Sequence, residues 1–131
     1  MSMTGIKAAI VTALESVTTL KRVYSQVPDK INEIPCAYVL PRSGTFHMDV
    51  GGNMTHTMEA VVLVKRVADL VEGQEALDEY LDDSSIKTAI EAADLSTHAH
   101  AVIVTGYRDY GGLEYSGDVY LGLKFDIKVI A

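Results

Sequence analysis

Four histidines and one cysteine are the side chains in this sequence best suited to hold a metal or attack a substrate. His98 and His100 stand two residues apart, on one face if an extended strand has already begun there, a spacing that suits zinc. His47 and His56 flank an irregular stretch and are the other imidazoles that could join them. Two ligands do not make a site, and no cysteine pair or carboxylate is bound by spacing to converge on them. The expectation is polar residues at a strand start and in a loop, with no metal and no cofactor. Cys36 lies between Pro35 and Ala37 in an apolar run, where a thiol behaves as a small hydrophobe rather than a nucleophile.

Carboxylates are the second candidate. Glu75, Asp78, Glu79, Asp82 and Asp83 could do acid–base work or bind a cation. The first four fall at i, i+3, i+4 and i+7, opposite a leucine stripe, which is the pattern of a solvated helix face. Lys87 is the base nearest to them, so a cationic partner would relieve their repulsion. The sequence holds no Gly-x-Ser-x-Gly, no Gly-x-Gly-x-x-Gly after a strand and no Walker-type loop. No catalytic residue is assigned, and the chain is expected not to be an enzyme.

A third group is apolar rather than reactive. Phe46, His47, Met48 and Met54 sit in or beside one irregular stretch, and Tyr110, Leu113 and Tyr115 in or beside another. Loops are normally polar, and Tyr and Met are enriched where partners dock, so these seven residues are the candidate subunit or partner interface. The competing reading is that the two loops fold back over a small satellite core.

The elements that must carry these residues follow from periodicity. Ile6, Ala9, Ile10, Ala13, Leu14 and Val17 recur at helical spacing, so a helix is predicted over 4–18, with Thr4 as its cap. Residues 25–35, with two of the three prolines, read as a surface connection. Cys36 to Leu40 is a short strand fenced by Pro35 and Pro41. The stretch 42–54, with Gly51-Gly52-Asn53, reads as a long hairpin arm, and 55–66 as a strand buried on both faces around Val61 and Leu63.

Two helical stripes follow, Leu70, Leu77 and Leu81 with Ala76 and Tyr80, then Ile86, Ala89, Ile90 and Ala93. Asp82-Asp83-Ser84-Ser85 offers capping oxygens between them. A strand with His100, Val102, Val104 and Gly106 on one face leads into a turn at Asp109 to Leu113. The last strand puts Val119, Leu121, Leu123, Phe125, Ile127 and Val129 on one face. The order α-β-β-α-α-β-β predicts a single α+β domain over 1–131. Its four-stranded antiparallel or mixed sheet would carry helices on one face.

Composition bounds the rest. The chain has 131 residues, 48% of them hydrophobic, enough for one core and too few for two. One cysteine excludes an internal disulfide framework. The longest run without Asp, Glu, Lys or Arg is thirteen residues, Leu95 to Tyr107, short of a membrane span, and a soluble intracellular protein is expected. The net charge of −7 argues against a surface that grips nucleic acid. That charge is local. Residues 69–94 hold nine acids against Lys87 alone, while the remainder of the chain is close to neutral.

Several stretches resemble the tail terminator (tail completion) proteins of long-tailed phages, including the lambda-type minor tail protein U. They are Ile6 to Glu15, Ile34 to Pro41, Leu77 to Leu81 with Ser85-Ile86, and Gly106 to Tyr110 leading into the last strand. The resemblance covers nearly the whole chain as a pattern of elements. It implies a non-enzymatic virion protein forming a ring, expected to be hexameric, that caps the tail tube, ends its polymerisation and joins it to the head. Its implied partners are further copies of itself, the tail tube protein and a head-completion or neck protein. DNA would pass transiently and non-specifically through the lumen, and no membrane is involved. The implied place is the head-proximal end of the tail in the virion, after assembly in the host cytoplasm. Alternatives are another head–tail connector subunit, or a small cytoplasmic ligand-binding or enzymatic α+β domain.

Overall fold

The computed structural model describes residues 3–24, 26–31, 33–46, 54–66, 70–82, 84–95, 99, 101–115 and 117–130. The chain runs α1 (Met3–Glu15), β1 (Arg22–Tyr24), β2 (Cys36–Phe46), β3 (Met54–Arg66), α2 (Leu70–Asp82), α3 (Ser85–Glu91), β4 (Ala101–Tyr115) and β5 (Asp118–Ile130). The strands form one sheet in the order β1-β2-β3-β5-β4. The fold is therefore the expected α+β domain with a mixed sheet, but with five strands rather than four. The additional strand, β1, is three residues long and pairs parallel with Cys36 to Tyr38. A segment that short shows no periodicity, and tertiary pairing alone makes it a strand.

One face of the sheet carries the helices and the main core. Ile6, Ile10 and Leu14 of α1, Leu77 and Tyr80 of α2, and Ile86 and Ile90 of α3 are buried against Val39, Met58, Ala60, Val62, Leu123, Phe125, Ile127 and Val129. The period-2 stripe of β5 thus does what its spacing requires. α2 lies close on the sheet because it has a glycine at the contact. A Cβ on Gly73 would come within 2.3 Å of Leu121 Cδ1. The other face holds a second, smaller cluster of Cys36, Tyr38, Val61, Leu63 and Tyr120. Burial of Val61 and Leu63 on that side is what their position within an alternating strand predicts.

Local expectations needed several corrections. α1 ends at Glu15 rather than residue 18, and because it begins at Met3, Thr4 is inside it rather than capping it. Ser84 is the N-cap of α3, but it sits in the left-handed region (φ 56, ψ 27) and its side chain makes no capping bond. Pro41 does not end its strand. β1 covers β2 only along Cys36 to Tyr38, so at Pro41 β2 is an edge, where proline is admissible, and a register shift between Pro41 and Ser43 absorbs the irregularity. The β2–β3 hairpin arm runs on to the pair Phe46–Met54.

The segment Asp109 to Leu113 is not a turn but the interior of β4. Asp109 (φ 58) and Gly111 (φ 141) take up a bulge in the ladder between Arg108 and Gly111, and the chain reverses around Gly117 (φ 86) instead. An earlier shift between Val104 and Gly106 also swaps the faces. Val102 and Val104 point into the core, whereas Gly106 pairs with Asp126 on the helix-free side.

Candidate functional site

Five of the seven predicted interface residues lie among the described residues, and the fold does not gather those five in one place. Phe46 closes β2 and Met54 opens β3, paired at the end of the hairpin arm. His47 and Met48 lie outside the described residues. Leu113 and Tyr115 are strand residues packed on the second cluster, with the Tyr115 ring 5.7 Å from that of Tyr38 at an interplanar angle of 56°. Tyr110 goes the other way, to the helical side, where its hydroxyl donates to Asp78 Oδ1 of α2 at 2.8 Å. Burial and the Asp78 carboxylate together raise the Tyr110 pKa.

No three His, Cys, Asp or Glu side chains among the described residues converge to hold an ion. His98 and His100 lie outside the described residues, and His56 is buried in β3. Cys36 is buried, and burial pushes its thiol up to about 11, away from the thiolate form a nucleophile needs. Glu75, Asp78, Glu79 and Asp82 are exposed on the outer side of α2, as their spacing predicts. No helix among the described residues is long and apolar enough to cross a membrane.

A charged network on the helix-free face had no signal in the sequence. Glu59 of β3 is almost fully buried, with its side chain 3% exposed, and accepts from a terminal nitrogen of Arg108. The same guanidinium donates through Nε to Asp126 Oδ1 and through its other terminal nitrogen to Asp109 Oδ2, both at 2.9 Å. Arg42 Nη1 lies 3.7 Å from Glu59, and Lys124 Nζ lies 3.6 Å from Asp109. Three carboxylates thus meet three cations. The bond to Asp126, chiefly, raises the Arg108 pKa further. Apart from the neighbours Arg108 and Asp109, the partners are far apart in sequence, and the strand order brings them together.

The sheet edges differ from one another. On one, β4 has no outer neighbour among the described residues, and its backbone N–H at Val104 is occupied by Glu91 Oε2 at 3.1 Å. Glu91 is itself held by Lys87, and these two bonds lower its pKa. Beyond Val104, Tyr107 is 54% exposed and Tyr110 40%. On the other edge, β1 lies beside α1, and a groove of about 390 Å³ opens between them.

No protein-family model matches this chain, and no curated protein matches it. Among solved structures it is similar to the bacteriophage SPP1 gp17 protein, with a TM-score of 0.52 at 15% identity, over 96% of this chain and 88% of that one. At this identity the likeness is one of fold.

Proposed function

We propose that the chain is a structural protein of a phage virion, the subunit of a hexameric ring that caps the tail tube, ends its polymerisation and joins it to the head or neck. The observation that carries this reading is the likeness of fold, over nearly the whole chain, to a bacteriophage protein. The stretches that resemble tail terminator proteins point the same way.

The physical arrangement supports it. A ring closes through heterologous contacts and needs two unlike patches on each subunit, and the β4 and β1 edges are unlike. The acidic surface belongs to α2, on the helical layer, whereas the helix-free face carries a charge-balanced network. A wall of that kind, turned to the lumen, neither holds nor repels passing DNA strongly. Partners are then further copies of the chain, the tube protein and a head-completion protein.

Electron microscopy of the purified protein tests the ring, with six-fold particles holding a central hole as the expected image. Deleting the gene should give tails of abnormal length. Tails of normal length with unjoined heads would mean a connector instead, and a protein that remains a monomer at every concentration and on purified tubes would overturn the ring.

A further inference from the structure

We propose that successive copies of this chain lock together through a specific knob and hole: Tyr107 and Tyr110 of one copy enter the groove between α1 and β1 of the next. This rests on the ring reading above and names the contact that builds it. The knob is the outer half of β4. Tyr107 and Tyr110 are both exposed, and both lie on the helical side. Tyr107 lines a cleft with Tyr80, Leu81 and Phe125, and Tyr110 leans on Asp78. The inner half of the same edge is closed to a partner at Val104 by Glu91. The hole is lined by Val11 and Glu15 of α1 and by Val23, which like its pairing partner Ala37 faces the helical layer, and is bordered by Pro28 and by Arg22 and Tyr24, which belong to the other face of the sheet.

Level and direction match as well as layer. Tyr24 pairs with Tyr38, Tyr38 with Val61, Val61 with Lys124, and Lys124 with Arg108, so Tyr24 and Arg108 share one row across the sheet. The row of Val23 passes through Ala37, Val62 and Leu123 and meets β4 at the Asp109–Tyr110 bulge. A rotation about an axis along the strands therefore carries the groove of one copy to the tyrosines of the next without a slip along the strands. β4 runs antiparallel to β5, and β1 parallel to β2, so β4 and the neighbouring β1 would run in opposite directions, the sense that antiparallel neighbours take.

Charge agrees. Exposed Lys21 and Arg22 flank the groove, with Glu15 the one acid in its lining, and exposed Asp78 and Glu114 flank the tyrosines. These signs favour head-to-tail docking and oppose the meeting of two like edges.

The test uses two variants of the full chain, Tyr107→Asp, which spoils the knob, and Glu15→Trp, which fills the hole from an exposed position. Each should lose assembly while keeping the wild-type circular dichroism and melting temperature. Mixing the two should give heterodimers and nothing larger, because the mixture contains one intact knob and one intact hole per pair. If the wild type assembles and both variants assemble equally well, this contact is wrong and the ring stands. Monomeric variants whose mixture stays monomeric also overturn the contact. A wild type that is monomeric throughout overturns the ring and the contact together. As a second measure, Tyr107→Cys with Glu15→Cys should form covalent oligomers on oxidation, and neither single variant should. A disulfide dimer of Tyr107→Cys alone would mean a symmetric contact and overturn the proposal.

Discussion

Arg108 and Glu59, 49 positions apart in the sequence, form an ion pair on the helix-free face of the sheet, and the guanidinium extends from there to Asp126 and Asp109. Glu59 sits in β3, at the centre of the sheet, and Arg108 in β4 at its edge. The pair reaches across β5 and ties the edge strand to the central one.

Arg108→Leu should be markedly destabilising. It leaves the Glu59 carboxylate buried with the more distant, half-exposed Arg42 as its remaining cation among the described residues, and a buried charge that loses its nearest partner is costly. Urea unfolding measures the loss. Glu59→Gln in the same background should recover part of it, since the neutral amide is cheaper to bury, and no recovery would mean the ion pair is not the cause.

Two glycine substitutions should differ sharply. A Cβ on Gly122 would lie 2.3 Å from the Val62 carbonyl oxygen and 2.8 Å from Leu63 Cδ2, so Gly122→Ala must move backbone and should cost about 2 kcal/mol or more. A Cβ on Gly106 meets nothing within 4 Å, and Gly106→Ala should be neutral within about 0.5 kcal/mol. Equal thermal shifts for the two would contradict the packing described.

Two of the three tyrosines of β4 should separate folding from assembly. Tyr115→Ala removes a ring packed on Tyr38 and the second cluster, and should cost about 2 kcal/mol of stability. Tyr107→Asp, at an exposed position, should leave the melting temperature nearly unchanged while reducing oligomer in sedimentation.

Stability should fall at alkaline pH in a defined window. Burial raises the Cys36 thiol from 9.0 to about 11, so the fold holds this proton more tightly than the unfolded chain does. The stabilisation is whole below about pH 9 and is lost as pH rises through about 11. Tyr38, raised from 10.0 to about 12 chiefly by burial, extends the loss upward. The urea midpoint should therefore hold steady up to about pH 9 and then decline, and Cys36→Ala should remove the early part of that decline. A wild-type midpoint independent of pH across this range would refute the assignment.

Local periodicity was enough to place the elements that depend only on neighbours in the chain. The stripes Ile6, Ile10 and Leu14, and Leu121 to Val129, place helices and strands because alternation and helical spacing are properties of neighbours in the chain. The two-sided burial of Val61 and Leu63 and the solvated face of α2 were legible for the same reason. What lacked a local signal depended on tertiary structure. β1 is a strand because β2 lies beside it, and the Asp109 to Leu113 segment, which reads as a turn, is held extended by pairing with β5 across a bulge. Leu113 and Tyr115 read as interface residues by type, and the structure packs both, partly buried, on the second cluster, because the contact partners come from other strands. The Glu59–Arg108 network and the level match of Tyr107 and Tyr110 with the α1–β1 groove arise from strand order and register. Those are set by long-range pairing, and no window of sequence contains them.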